Sequence, residues 1–549
     1  MACIYYHPEA YTTSGPKLMG RNAAGESFLR GFFTHSQSGE FWAQVQHHSH
    51  ATHFMETAKS FSRTEPVHAI DKNTLQDLAK PGVVYYPGPG IGEHAWQRAA
   101  FGHGAWSLCG ITHTTSSAGA MDAITDLITA PVQSWDALIC TSQAVKSNVV
   151  RVLQSQVDYL KDRLGITQIT LPQLPVIPLG IHTGDFVYSA HQKKAAREIL
   201  CVPDDALIVL FMGRLSFHAK AHPLAMYQAL QKAAMESNKK IVLVECGWHA
   251  NEFIAKAYAD AAQLACPNVH VITLDGRKAE DRQTAWASAD VFCSLSDNIQ
   301  ETFGIVPIEA MAARLPVVVS DWDGYKDTVR NGVDGFRIPT QMPQAGMGRD
   351  LALRHALGID NYDMYCGHTC SLIGVDVLAA AEAFTKLFES PGLRQSMGRA
   401  GQERAMAMYD WGVVIPQYEA LWKEQSRMRA AESGKKQALA YPWPARMDPF
   451  FAFAEYPSQV LSPETKLSLV DRDSNQALAR IAAYRQLAMV DYAKVILPSE
   501  AEIQSVLSKA SAIPTSALEL TADIAPERRP LVLRSLAWML KLGIFTLQP

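Results

Sequence analysis

Residues 289–320, ADVFCSLSDNIQETFGIVPIEAMAARLPVVVS, limit what this chain can fold into more than any other stretch. Residues 291–295 form a short apolar run suited to a strand buried on both faces. From 303 to 314 apolar residues recur at helical spacing, with Ile305, Ile308, Met311 and Ala312 on one side, and 316–320 is a second apolar run. Strand, polar loop, helix and strand within about thirty residues make a βαβ unit, in which both strands run parallel. Its ligand belongs where the first strand's carboxyl end meets the helix N-terminus, here residues 296–304.

Two carboxylates frame that junction: Glu301 in the loop, and Glu309 eight positions later on the helix. The helix N-terminus offers unpartnered amides and the positive end of the dipole, and Gly304 lets a ligand approach the backbone, so a phosphate fits. Acids are poor phosphate ligands but good acceptors for hydroxyl groups, so a sugar on one side and a ribose on the other would explain both glutamates. The plainer alternative is a first-turn glutamate favoured by the dipole and an exposed helix glutamate. The loop 296–300 is expected to help choose the sugar.

A second constellation lies upstream. Apolar residues 207–211 lead into Gly213 and Arg214, with Lys220 six positions beyond. A forked donor and a point charge after a strand suit a diphosphate leaving group. Earlier still, residues 106–111 read as a strand ending at Thr112-His113-Thr114-Thr115-Ser116, which puts His113 where open α/β sheets hold ligands; a histidine capping the next helix is the alternative. A first strand at 2–6 precedes a Gly/Ser/Pro-rich loop, 12–25, and a helix from about 26 to 33. The histidines at 35, 47, 48, 50 and 53 and the cluster Cys366-Gly367-His368-Thr369-Cys370 lack partners at metal-site spacing, so no metal is expected.

The string QETFGIVPIEAMAARLPVVVS resembles the nucleotide-sugar signature of the retaining glycosyltransferases of family four. That resemblance covers residues 1–428 and implies the GT-B fold: an α/β chain of two Rossmann-like parallel-sheet domains facing a cleft. It assigns Glu301 to donor sugar hydroxyls and Glu309 to the nucleotide ribose. It also places Thr302, Phe303, Gly304 and Ile305 around the diphosphate, Gly213, Arg214 and Lys220 on the departing phosphates, and His113 near the anomeric carbon. Gly20 and Gly25 fall in a loop that faces phosphate and acceptor. The chain departs from the family pattern where Ala221 follows Lys220, where His182 replaces an aspartate, and where the loop glycines are spread out.

The expected layout is an acceptor-side domain at 1–185, a nucleotide-sugar domain at 186–408, a crossover helix at 409–428, a linker and docking segment at 429–474, and a helical, winged-helix-like module at 475–549. Length and composition agree: 549 residues suggest roughly three or four domains, and 48% hydrophobic with 19% charged is ordinary globular usage. A net charge of −4, and five Lys/Arg against four Asp/Glu over 501–549, argue against nucleic acid as a partner. Protein contact, including a homo-oligomer through the C-terminal module, is the favoured use of that module. The start, Met1-Ala2-Cys3-Ile4-Tyr5-Tyr6, is not a secretion signal, and the cysteines sit in apolar runs, so the expected location is the cytoplasm.

The expected function is metal-independent, retaining transfer of a sugar from a UDP- or GDP-sugar to a hydroxyl acceptor, with His113, Arg214, Lys220 and Glu301 catalytic and no cofactor. A non-catalytic sugar-nucleotide-binding or scaffold protein is the alternative.

Overall fold

The computed structural model describes residues 1–12, 20–432, 434 and 443–547. It divides into two compact units, Met1–Trp443 and Pro444–Pro549.

The larger unit contains two six-stranded parallel sheets. The first orders its strands β3-β2-β1-β4-β5-β6, with β1 Cys3–Tyr6, β2 Phe41–Val45, β3 Val67–Ile70, β4 Val83–Tyr85, β5 Ser107–Ile111 and β6 Ala137–Ile139. The second runs β12-β11-β10-β7-β8-β9, with β7 Leu207–Met212, β8 Ile241–Gly247, β9 Val269–Asp275, β10 Val291–Ser294, β11 Val317–Ser320 and β12 Gly335–Ile338. Central strands such as β10 and β11 are buried throughout, because crossover helices cover both faces of a parallel sheet. The strand order of the second sheet reverses between β7 and β10, so the crevice of that sheet opens beyond their carboxyl ends.

The chain passes twice between the two halves, and the two passages are bonded to each other. The amide of Ile181 donates to the Tyr409 carbonyl at 2.8 Å, and the Trp411 amide donates to the Ile181 carbonyl at 3.0 Å. Trp411 opens the helix Trp411–Glu432, which returns onto the first half. Its indole lies against two glycines. A Cβ on Gly31 or on Gly180 would stand 2.5 Å from a ring atom. Its Nε1 donates to the Ser27 hydroxyl at 2.8 Å. Further along, buried Gln425 donates to the carbonyls of Leu108 at 2.8 Å and Trp135 at 3.2 Å. One apolar cluster runs from Ile4 and Phe32 through Trp411, Tyr418 and Trp422 to Phe303 and Ile308.

Two expectations need correction here. The first helix is Gly20–His35, about a turn and a half longer at its start than expected, so Gly25 lies inside a helix, facing the Ala10 carbonyl, and not in a loop. Gly20 is that helix's first residue, and Gly15 lies outside the described residues. The crossing helix runs on to Glu432; of the linker expected after it, residues 433 and 435–442 lie outside the described residues.

A short antiparallel pair, β13 Thr340–Gln341 with β14 Gly374–Val375, completes the strands of the larger unit. In the smaller unit β15 Lys466–Leu469 is the middle strand of an antiparallel sheet, between β16 Thr515–Ser516 and β17 Phe545–Leu547. Helices Ser474–Tyr484, Glu500–Ser508 and Arg529–Lys541 bury Ile481, Ile503, Val506 and Leu536 against it. The strand at 466–469 falls within the stretch expected to be linker.

Gly180→Ala should cost about 1–3 kcal/mol of stability, since the added methyl group has no space beside the indole. The urea midpoint of the variant against the parent chain checks it.

Candidate active site

The residues singled out in the second half come together at the β7/β10 crevice. After β7 the backbone turns through Gly213, whose φ of +150° lies at the edge of the range that favours glycine. Arg214 follows, and its Nη2 donates to the Ala219 carbonyl at 2.7 Å and to Gln300 Oε1 at 3.2 Å. Lys220 Nζ stands 2.5 Å from Glu301 Oε2, which joins the loop after β7 to the loop after β10. The helix Ile305–Ala312 then starts from Gly304 at φ +85°. A Cβ there would fall 2.0 Å from the Tyr325 ring, so both conformation and space require glycine. The Tyr325 hydroxyl is fixed by Ser294 at 2.9 Å.

Electrostatics separate the acids. Burial acts to raise Glu301, but the Lys220 ammonium and the hydrogen bonds it receives outweigh that and hold the carboxyl below its ordinary value. Glu309, half-buried, is pushed up to about 7 by burial despite Arg282. Arg282, whose charge acts against that rise, donates to the Gly276 carbonyl at 2.9 Å. Asp297 is pushed up to about 7 and Asp323 to about 8, burial being the main cause in both.

The first half meets these loops directly. The Thr302 hydroxyl donates to the His113 carbonyl at 2.8 Å, and the Thr302 carbonyl accepts from the Ser142 hydroxyl at 2.8 Å. Thr302, expected to bind donor, thus ties the halves together, and His113 is brought to the rim of the crevice. Phe303 is buried, packing on Tyr409 rather than facing open space. Ile305 packs against the shared core.

Sequence reasoning missed three features. The loop 296–300 is occupied with structural bonds: Ser296 accepts from Ser320, Asp297 from the His222 amide, and Asn298 donates to the His218 carbonyl. Within residues 341–375, the segment that carries the Cys366–Cys370 cluster packs beside the site. The helix Tyr362–Cys370 sets Gly367 so close to His218 that a Cβ would lie 3.0 Å from the His218 Cβ. Tyr362 brings its hydroxyl within 3.4 Å of Thr114 and of Ser116. Within this helix His368 pairs with Asp360, and no group of three His, Cys, Asp or Glu side chains placed to hold a metal occurs among the described residues. The histidines near residue 50 serve locally: His53 lies 2.6 Å from the Tyr6 hydroxyl, and the rings of His47 and His50 pack together. Third, an Asp-x-Asp motif was not expected in a strand-end loop of either half, yet Asp321-Trp322-Asp323 directly after β11 has that spacing. Its two acids diverge in use, Asp321 lying 3.4 Å from Arg337.

Residues 192–346 match the family model for Glycosyl transferases group 1. The chain is 33% identical over 160 residues to a phosphatidyl-myo-inositol mannosyltransferase of Mycobacterium leprae, covering 29% of this chain and 32% of that one. It is 31% identical over 211 residues to a D-inositol 3-phosphate glycosyltransferase of Streptomyces bingchenggensis, covering 35% and 43%. The matched segments span about a third to under half of these relatives. Among solved structures, Anabaena Alr3699/HepE in complex with UDP superposes with a TM-score of 0.51 at 15% identity, over 77% of this chain and 99% of that one. The two-sheet architecture is therefore GT-B-like. No helix among the described residues is long and apolar enough to cross a membrane.

Because Glu301 titrates below its ordinary value, its pair with Lys220 stabilises the fold at neutral pH, and that contribution is lost as pH falls through the depressed pKa. Lys220→Met leaves the burial and removes the cation, so the Glu301 carboxyl should then titrate above its ordinary value. Carboxyl carbon chemical shifts followed against pH check the sign.

Proposed function

We propose that this protein is a retaining glycosyltransferase that moves a sugar from a UDP- or GDP-sugar to a hydroxyl of the acceptor. The observation that carries the reading is the convergence of Gly213, Arg214 and Lys220 with Glu301 and the Gly304 helix start at one sheet crevice. The family match over this half supports it, as do the names of the relatives, both of which transfer sugars. Those names also point to an acceptor of the inositol class.

In this reading the bond between the anomeric carbon and the diphosphate oxygen breaks. Arg214, Lys220 and the helix amides stabilise the charge on the departing diphosphate, which supplies without a metal the stabilisation the leaving group needs. The acceptor hydroxyl attacks from the face the diphosphate leaves, and its proton passes to a diphosphate oxygen. Ionised Glu301 accepts from sugar hydroxyls, Glu309 from the ribose, and His113 lies toward the anomeric carbon from the first half. Donor groups sit in one half and His113 in the other, so closure of the halves completes the site and excludes water.

Arg214→Ala and Lys220→Ala should each lower turnover about 10²-fold or more, read by release of nucleoside diphosphate. Calorimetry with UDP and GDP, then mass spectrometry of acceptor mixtures, separates this reading from a scaffold that binds nucleotide without turning it over. Binding with neither transfer nor hydrolysis would favour the scaffold. Saturating nucleoside diphosphate should also reduce the radius of gyration in small-angle scattering; no change would count against closure.

A further inference from the structure

Four histidines from two parts of the chain meet at one edge of the first sheet. His7 directly follows β1, His47 and His50 stand where β2 passes into the helix His48–Ser60, and His53 lies about a turn further along that helix. The ring centre of His50 lies 4.7 Å from that of His7 and 5.1 Å from that of His47, both edge-on, and His53 Nδ1 lies 2.6 Å from the Tyr6 hydroxyl. His47 and His53 are exposed, and His7 and His50 are partly so, which leaves the group open to a ligand.

Core packing does not account for rings that face water, and among the described residues no three such side chains are placed to hold a metal. Imidazoles in contact penalise each other's protonation, and an anion set among them removes that penalty. The helix adds to the same field, since no side chain caps its amides and its first turn carries no acid. The location also matters. The strands are parallel, so their carboxyl ends share an edge, and the order reverses between β1 and β4, which puts the crevice of the first sheet beside His7. The strand that leads to His113, β5, is two positions from β1 and three from β2, so at about 4.8 Å per strand the cluster stands roughly 10–15 Å from His113 along that edge.

Resting on the glycosyltransferase reading above for its role, we infer that His7, His47 and His50 form an anion site in the first half that holds a phosphate borne by the acceptor. The phosphate oxygens accept from protonated imidazoles, and the acceptor hydroxyl reaches from there toward His113. Burial, then His7, His47 and His53 in turn, hold His50 below its ordinary value, and Glu9 in the short helix Pro8–Ala10 acts against them. Without a ligand His50 is therefore neutral at pH 7. An anion beside it draws in a proton, so affinity rises as pH falls.

The test is calorimetry on the full chain with sulfate, whose charge is constant between pH 6 and pH 8, then with myo-inositol, its 3-phosphate and phosphatidylinositol vesicles. Sulfate should bind about tenfold or more tighter at pH 6 than at pH 8, with uptake of protons. His50→Gln and the double variant His7→Gln with His50→Gln should lose that pH dependence, at unchanged melting temperature and unchanged affinity for UDP or GDP. Should His50→Gln lower the melting temperature, His47→Gln, at an exposed ring, decides the same point. With a sugar nucleotide present, the 3-phosphate should be the better acceptor, and its KM should rise in the variants while kcat holds. Binding of the vesicles but not of the 3-phosphate supports the site and assigns its phosphate to a lipid headgroup. Sulfate affinity that ignores pH, or that is equal in parent and variants, overturns the site, as does tight Zn²⁺ binding lost in the same variants. Equal use of myo-inositol and its phosphate overturns the acceptor role. If sulfate binds as expected and no sugar is transferred to any acceptor, the anion site stands and the glycosyltransferase reading fails.

Discussion

The position of Trp411 between two glycines sets the geometry on which the rest of the larger unit depends. A chain that builds two separate parallel sheets must pass from one to the other and back, and each passage is a place where the halves could part. Here both passages lie side by side, joined by backbone bonds between Ile181 and the 409–411 segment, with one indole filling the space that Gly31 and Gly180 leave. The crossing helix buries aromatic rings against the first half while Tyr409 touches Phe303 in the second. This shared core holds the halves together, because separation would expose its buried apolar surface.

Charge around the crevice follows from which acids have a cation beside them. Glu301 has Lys220 and stays ionised, while Asp297, Asp323 and Glu309 are dominated by burial and move toward neutrality near physiological pH. The crevice therefore carries less negative charge than the number of acids implies. The same acids remain able to bond hydroxyl groups, as donors when protonated and as acceptors when not.

The helix Tyr362–Cys370 shows how a segment without a sequence signature can acquire a place in the site. Its packing on His218 and its approach to Thr114 and Ser116 bring residues some 250 positions apart in sequence to within 3.4 Å. The smaller unit has its own core around β15.

Apolar runs and helical spacing from residue 207 to 320 marked the central strands β7, β10 and β11 of the second sheet, because strands buried on both faces must be apolar throughout, whereas the edge strand β12 lies beyond that stretch. The candidate site residues Arg214, Lys220, Glu301 and Glu309 could be singled out for a related reason: a crevice at the strand ends is where local chemistry has to be polar. Other parts were hidden. Strand β2 contains Gln44, whose burial is offset by the Tyr86 hydroxyl at 3.2 Å, and β3 is a half-buried edge; neither reads as an apolar run. The first helix starts earlier than its apolar residues suggest. The service of Thr302 as a strut, the meeting of His7 with His50 and the placement of residues 341–375 are decided only by tertiary structure. Each depends on a neighbour from another part of the chain, and periodicity along a sequence records which face of an element is buried, not what it is buried against.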